Sequence, residues 1–184
     1  MLPAYAELHC LTNFSFLRGA SHPEELVERA AALGYAALAV TDECSVAGAV
    51  RAHLAAKERG LKLLVGTELQ LEGEEQAGPK LVLLATSRAG YGNLSELITR
   101  GRRSARKGSY RLTRADLDGG VDECLALLVP SLSPIVGDAE WLAERFPGRA
   151  WIAAELHCGP DDRARLERLR ALARAADLPL VAAG

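Results

Sequence analysis

The sequence predicts an α/β fold in which a parallel sheet is covered by helices. Strand-like and helix-like segments alternate along the chain, giving six to seven β-α repeats. The strands are uniformly apolar, as is typical of strands that are buried on both faces. This pattern fits either a closed barrel or an open doubly wound sheet. No G-x-G-x-x-G or P-loop motif follows any strand, which favours the barrel.

The first half of the chain contains four predicted strands and two predicted helices. Ser21 is expected to cap the first helix, which has Pro23 in its first turn and ends at Gly34. Gly60 is expected to end the second helix, and the polar segment EGEEQAGP is expected to form a turn between the third and fourth strands. The strands are predicted at residues 5–11, 36–41, 61–71 and 80–86, and the helices at 21–33 and 45–59.

The second half continues the same alternation. A helix is expected at residues 91–103, and a basic loop, SARKGSYR, follows it. Later strands are predicted at residues 124–130, 150–156 and 178–184, separated by helices at 138–146 and 161–176. Because the last of these strands has not ended at Gly184, we expect the sequence to be a fragment of a longer chain.

Composition indicates one globular domain that spans residues 1–184. The chain is 49% hydrophobic and 25% charged, with a formal net charge of −2, so bulk charge gives no reason to expect nucleic acid or an anionic membrane as a partner. No apolar run could span a bilayer, and no signal peptide is evident, so we expect a cytoplasmic protein. The four cysteines form no C-x-x-C pair and are expected to be reduced and mostly buried.

Polar side chains stand at the predicted carboxyl ends of several strands, where barrel proteins bind their ligands. Imidazole, carboxylate and thiolate groups at one rim would suit zinc or manganese. Each position also has a structural interpretation, such as a hydrogen-bonded histidine or a carboxylate that caps a turn. A carboxylate within the buried strand GTELQL is the hardest to explain without a partner. The residues concerned are His9, Asp42, Glu43, Glu68, His157 and Cys158.

A run of basic residues begins in the last turn of the third predicted helix and could contact nucleic acid or an acidic protein surface. A solvated loop is the simpler interpretation. Tyr110 is the only aromatic residue in the run, so we expect the domain alone to bind DNA weakly. The run consists of Arg100, Arg102, Arg103, Arg106, Lys107, Arg111 and Arg114.

Several longer motifs resemble the N-terminal PHP (polymerase and histidinol phosphatase) domain of bacterial C-family DNA polymerases. These motifs occur in the family's order and cover nearly the whole chain: LHCLTNFSFLRGA, YAALAVTDECSVAGAV, GLKLLVGTELQL, LVLLATSRAGYGNLSELIT and LPLVAA. The segments FLRGASHPEELV and TDEC are most similar to the error-prone, damage-inducible branch of the family. The resemblance implies a distorted seven-stranded β/α barrel, TIM-like and truncated near its last strand.

The resemblance also implies a metal site that has lost several of its ligands. Active members hold up to three metals at the rim, and the matching positions that keep a polar side chain are His9, Asp42, Glu43, Glu68 and Cys158. Glu43 and Cys158 replace histidines, and His157 is displaced by one position. Leu11, Arg18 and Lys80 occupy positions where the family has a histidine, an acidic residue and a histidine. We expect Arg18 and Lys80 to pair with Asp42, Glu43 and Glu68 in place of the ions.

The resulting hypothesis is a structural domain that supports a polymerase used in DNA repair, DNA damage tolerance and translesion synthesis. No catalytic residue and no cofactor are expected in this fragment, whereas the parent polymerase would use Mg²⁺. Its partners would be the remaining polymerase domains, DNA through the parent chain and other translesion-synthesis proteins, with no membrane. The alternative is an active phosphoesterase or 3′-5′ exonuclease that uses Zn²⁺ or Mn²⁺ at His9, Asp42, Glu43, Glu68 and Cys158.

Overall fold

The computed structural model describes residues 4–73, 77–119 and 121–184 of the chain. In these ranges, strands and helices alternate much as the sequence predicts. The strands are β1 (Ala6–Cys10), β2 (Ala37–Val40), β3 (Lys62–Glu72), β4 (Ala77–Ala85), β5 (Cys124–Val129), β6 (Ala150–Ala154) and β7 (Leu180–Ala182). The α-helices are α1 (Pro23–Ala32), α2 (Ala49–Arg59), α3 (Arg88–Arg103), α4 (Val136–Arg145) and α5 (Asp162–Ala176), and a short 3-10 helix covers Arg114–Leu117.

The seven strands form one sheet in which sequence neighbours pair in the order β1 to β7. All pairs are parallel except those of β4, which runs antiparallel to both β3 and β5. The expectation of a parallel strand is therefore wrong at β4. Only residues 73–76 separate β3 from β4, whereas a parallel crossover needs about a dozen residues or more. Part of the predicted turn at 72–79 belongs to the two strands, and its residues 74–76 lie outside the described ranges.

The sheet curls into a nearly closed barrel whose interior is filled by side chains from every strand. One apolar cluster combines the buried residues Ala39, Val82, Leu84, Leu127, Val129, Ala153 and Ala183 with the partly buried Leu8, Leu64, Leu125, Trp151 and Val181. Between the first and last strands, the backbone N–H of Gly184 donates to Glu7 Oε1 at 2.9 Å. The curled sheet thus brings β1 next to the ends of β6 and β7, although these strands are far apart in sequence.

The helices cover the outside of the barrel in two apolar clusters. In one cluster α1 and α2 pack against β2 through Val27, Ala30, Leu38, Ala52 and Ala56. In the other cluster α3, α4 and α5 pack against the outer faces of β3 to β6. As a result β4 is buried on both faces, with Val82 and Leu84 inside the barrel and Leu81 and Leu83 outside it.

Several element ends differ from the predicted ones by a few residues. The N-cap of α1 is His22 rather than Ser21, because the Glu25 carboxylate accepts a hydrogen bond from the His22 backbone N–H at 2.7 Å. Helix α3 begins at Arg88, where the Ser87 hydroxyl accepts from the Gly90 N–H at 3.1 Å. Strand β7 ends at Ala182. No helix in the described ranges is both long and apolar enough to cross a membrane.

Burial on both faces of β4 gives a direct test of the fold. Leu83 is fully buried, whereas Leu132 is 76% exposed in the loop before α4. We expect Leu83→Ala to lower the free energy of unfolding by about 2–5 kcal/mol, because it removes apolar contacts and leaves a cavity. Leu132→Ala, the same substitution at an exposed position, should change it by less than about 0.5 kcal/mol. Urea unfolding of both variants measures the difference, and equal midpoints would contradict the placement of β4.

Candidate functional site

Charged side chains form a layer above the apolar interior at one end of the barrel, which we call the rim. The inward-facing positions of β3 run through Leu64 to Glu68, and those of β6 run through Trp151 to Glu155, just beyond the strand. Lys80 precedes Val82 and Leu84 on the inward face of β4. The inward-facing positions are therefore apolar inside the barrel, but at the rim they carry the carboxylates of Glu68 and Glu155 and the ammonium group of Lys80.

His9 reaches this layer because β1 is irregular. The register between β1 and β2 shifts between Glu7 and Cys10, and Leu8 packs inside the barrel while Cys10 packs outside it. A regular strand would place Leu8 and Cys10 on the same face. With this irregularity, the His9 side chain lies between two carboxylates. Its Nε2 is 2.8 Å from Glu68 Oε2, and its Nδ1 is 2.5 Å from Glu155 Oε1.

The two carboxylates hold the His9 imidazole in its charged form. Burial lowers the pKa of His9, but the hydrogen bonds and negative charges of Glu155 and Glu68 outweigh burial and raise it to about 9. Both ring nitrogens then carry protons and donate to carboxylates. A histidine in this state has no lone pair with which to bind a metal ion.

Glu68 is fully buried and lies at the centre of the charged layer. Burial alone would raise the pKa of its carboxyl, but hydrogen bonds from His9 and Arg18 and the charges of Lys80 and Arg18 lower it to about 2. Arg18 contacts Glu68 through both terminal nitrogens, with Nη2 3.1 Å from Oε2. The Lys80 ammonium lies 3.7 Å from the same oxygen.

Arg18 also joins Glu68 to Glu43, because its Nη1 lies 2.9 Å from Glu43 Oε2. The second oxygen of Glu43 accepts a hydrogen bond from the Tyr110 hydroxyl at 3.1 Å. Arg18 is held in place by the tight loop after β1, in which Leu17 has a φ of 61°. Gly19 packs so closely in this loop that a Cβ atom would lie 1.9 Å from the Thr12 carbonyl oxygen, so no larger residue fits there.

Asp42 does not join this network, contrary to the expectation that it pairs with Arg18 or Lys80. Its buried carboxylate instead accepts hydrogen bonds from the Thr12 backbone N–H at 2.8 Å, the Thr12 hydroxyl at 2.8 Å and the Ser15 hydroxyl at 2.7 Å. Gly48 packs against its other side, where a Cβ would come within 2.8 Å of Oδ2. Neutral donors from the loop after β1 thus satisfy Asp42 and fix the shape of that loop.

Cys158 and His157 lie on the loop between β6 and α5, and both are exposed. The β6 side chain that contacts the network is Glu155, which the sequence interpretation missed. The signal was present, because Glu155 follows the apolar run AWIAA just as Glu68 follows LLVGT. Leu11 is partly buried just beyond β1.

Most of the basic run is engaged in contacts within the protein. Arg102 donates to the carbonyl oxygens of Cys44 at 3.2 Å and Glu43 at 3.1 Å, and its guanidinium lies 5.4 Å from the centroid of the Tyr110 ring. Arg100, Arg111 and Arg114 pair with Glu96, Glu72 and Asp138, respectively. Arg103, Arg106 and Lys107 are exposed, and no carboxylate in the described ranges pairs with them.

The arrangement of these donors does not fit a multi-metal centre. A metal ion at the rim would need lone pairs from His9, Glu43 and Glu68, but protons of His9, Arg18 and Tyr110 occupy them. The guanidinium of Arg18 would also repel a cation. In the ranges that the structure describes, no three His, Cys, Asp or Glu side chains are grouped so that they could hold a metal ion. That these positions are the remnant of a metal site stays a prediction.

Comparisons with known proteins identify the family to which the chain belongs. The model of the PHP domain family matches residues 7–171. The error-prone DNA polymerase of Dechloromonas aromatica is 61% identical over 188 residues, with 100% of this chain covered. Those of Aromatoleum aromaticum and Pseudomonas aeruginosa are 62% and 57% identical, with 97% and 100% of this chain covered. The chain spans only 17–18% of the length of these curated relatives.

Solved structures share the fold at low sequence identity. A protein assigned as a metal-dependent phosphoesterase from Bifidobacterium adolescentis gives a TM-score of 0.69 at 17% identity, covering 98% of this chain and 87% of that one. An amidohydrolase from Chromobacterium violaceum, solved with sulfate and no metal, gives 0.67 at 15% identity, with the same coverages. The barrel, the family match and the full-chain similarity lead to one conclusion: the chain belongs to the PHP domain family, and its sequence matches that domain region of bacterial error-prone DNA polymerases.

Proposed function

We propose that this chain is the PHP domain of an error-prone DNA polymerase and that it serves as a structural module of that enzyme. Similarity over the full chain to one segment of much longer error-prone polymerases supports this assignment. DNA synthesis, with its Mg²⁺ ions, would belong to the remaining domains, and the parent enzyme would copy damaged DNA in the cytoplasm with other translesion-synthesis proteins. The domain would pack against the remaining polymerase domains and bind no membrane.

The observation that carries the structural role is the position of Arg18 between Glu43 and Glu68. The buried Glu68 carboxylate needs positive charge, which a divalent cation supplies in an active site of this kind. Here Arg18, Lys80 and protonated His9 supply it, all within 4 Å of Glu68. The protein's own cations thus do what the ions would otherwise do, and the domain needs no cofactor to neutralise its rim.

The alternative is an active metal-dependent phosphoesterase or 3′-5′ exonuclease that uses Zn²⁺ or Mn²⁺. The convergence of His9, Glu43, Glu68 and Glu155 on one rim favours it, because these residue types bind such metals elsewhere. Arg18 would then have to leave the rim before a metal could enter. The two functions differ in metal content and in hydrolytic activity.

Metal analysis of the purified chain distinguishes them. After incubation with Zn²⁺ or Mn²⁺ and dialysis, we expect far less than one equivalent of metal by elemental analysis, because Arg18 and protonated His9 oppose binding. We also expect no hydrolysis of phosphomonoesters or single-stranded DNA. Retention of about one equivalent of metal, or hydrolysis that His9→Ala abolishes, would overturn the structural role.

Removal of Arg18 should destabilise the domain more than removal of an arginine from a surface ion pair. Arg18→Ala leaves the buried Glu68 carboxylate with less neutralising charge, and we expect a loss of about 1–3 kcal/mol, less than for a fully buried pair because Arg18 is partly exposed. Arg51→Ala removes only the exposed pair with Glu24, which water and salt screen, and should cost clearly less. Chemical unfolding at one pH compares them, and equal losses would contradict the network.

The lysines allow a second comparison of the same kind. Lys80 lies 3.7 Å from the buried Glu68 carboxylate, whereas Lys57 is exposed on α2. Lys80→Ala should therefore lower the melting temperature measurably, whereas Lys57→Ala should change stability by less than about 0.5 kcal/mol. Indistinguishable melting temperatures for the two variants would count against a role for Lys80.

The network should also make stability depend on pH in a defined window. Because the pKa of His9 is raised from 6.5 to about 9, its stabilising effect is complete below pH 6.5 and is lost as the pH rises through 9. Glu68 has a lowered pKa, so its contribution is present above pH 4.5 and is lost only as the pH falls towards 2. Between pH 4.5 and 6.5 both contributions are complete.

A His9→Gln variant isolates the effect of the imidazole. The stability advantage of the wild type over this variant should shrink by roughly 2–3 kcal/mol between pH 6.5 and the alkaline side of pH 9. Urea unfolding across this range measures it, with His53→Gln on the exposed surface of α2 as the matched control. An advantage that stays constant with pH would show that His9 is not held charged.

A further inference from the structure

An open cleft lies next to the rim, between the loop after β1 and the basic loop after α3. The cleft has a volume of about 440 Å³ and is lined by Phe14, Ser15, Phe16, Glu43, Arg102, Gly108, Ser109 and Tyr110. It therefore combines three aromatic rings from segments about 90 residues apart in the sequence. The sequence alone offers Tyr110 as the only ring near the basic run, and the fold adds two more.

The two phenylalanine rings are presented to solvent on a fixed loop. Phe16 is 85% exposed and Phe14 is 42% exposed, which is unusual for large apolar side chains. The loop that carries them is held by Asp42, which accepts from the Ser15 hydroxyl at 2.7 Å, and by the Glu43 N–H, which donates to the Ser15 hydroxyl at 2.9 Å. The backbone that carries the rings thus needs little ordering when a ligand stacks on them.

Three exposed basic residues lie beside the cleft in the sequence. Arg103, Arg106 and Lys107 lie on the segment that leads into the cleft-lining residues Gly108 and Ser109, and all three are exposed. No ion pair in the described ranges neutralises them, unlike Arg100, Arg111 and Arg114. The acidic residue in the cleft, Glu43, is already balanced by Arg18 at 2.9 Å and bound by the Tyr110 hydroxyl.

We propose that this cleft binds single-stranded DNA, with Phe16 and Phe14 stacking on bases and Arg103, Arg106 and Lys107 contacting phosphates. Exposed aromatic rings beside unpaired cations are the combination that binds single strands without sequence preference. A duplex keeps its bases stacked inside and offers only phosphates, so it should bind more weakly. The cleft would hold an unpaired strand, and this role goes beyond structural support and does not depend on how the rim is neutralised.

A binding titration of the 184-residue chain tests the proposal. The probe is a fluorescein-labelled oligothymidylate of about 12 nucleotides, within the site sizes of known single-strand binders. A chelator is present, so that hydrolysis by a metal-loaded enzyme cannot affect the result. We expect a Kd on the order of 10⁻⁵ M at about 50 mM salt, several-fold weaker binding at about 200 mM, and weaker binding to a duplex of equal length.

Two conservative variants of Phe16 separate stacking from general apolar contact. Phe16→Tyr keeps a ring and should keep the affinity, whereas Phe16→Leu keeps only apolar surface and should lose about tenfold. Because Phe16 is 85% exposed, both variants should have the melting temperature of the wild type. Equal melting temperatures would show that a loss of affinity is not due to unfolding. Equal affinity of the Leu and Tyr variants for the oligonucleotide would overturn base stacking at Phe16.

The phosphate contacts are tested by removing equal charge at two places. Arg106→Ala with Lys107→Ala should weaken binding at least several-fold and reduce its salt dependence. Arg163→Ala with Arg168→Ala removes two exposed charges from α5 and should change neither. Equal losses in both double variants, equal affinity for duplex and single strand, or no binding up to about 10⁻⁴ M would overturn the proposal.

Discussion

The buried carboxylate of Glu68 is the constraint on which the rest of the rim depends. A carboxylate that is cut off from water is tolerated only when positive charge and hydrogen bonds surround it. Each neighbour satisfies this need by a different structural means. His9 arrives through an irregularity in β1, Arg18 through a tight loop, and Lys80 through a strand that begins at the rim. The charged layer is therefore built from distant segments that meet only when the barrel closes.

The same neutralising residues connect the rim to its surroundings. Arg18 links Glu68 to Glu43, and Tyr110 links Glu43 to the basic loop. Arg102, near the end of α3, stacks on Tyr110 of the basic loop and donates to the carbonyl oxygens of Glu43 and Cys44, so α3 and the basic loop are anchored to the segment after β2. On the other side of Glu68, His9 of β1 contacts Glu155 at the end of β6, and this contact joins the first strand to the last part of the sheet. These contacts give the rim one continuous set of polar interactions.

The sequence predicts the number and order of the strands because apolar runs and turn residues are local signals. It does not predict the direction of β4, because burial on both faces makes an antiparallel strand as apolar as a parallel one. The shortness of the β3–β4 connection was the available clue. At the site, charge alone led to the expected pairing of Asp42 with cations, but the hydroxyls of Thr12 and Ser15 reach it first. Glu155 is not singled out by the sequence because His157 and Cys158, which are also potential metal ligands, follow the same apolar run two and three residues later.

The reversal of β4 has an electrostatic consequence for the rim. Helices α1, α2, α4 and α5 follow strands that end at the rim, so they begin there and direct the positive ends of their dipoles towards it. Helix α3 follows β4, which ends at the opposite side of the barrel, so α3 finishes at the rim with its carbonyl groups and its partial negative charge. Arg100 and Arg102 in its last turn match that charge. Because β4 is inverted, α3 is the one α-helix in the described ranges whose carbonyl end faces the rim, and Arg100 and Arg102 of the basic run compensate its partial negative charge.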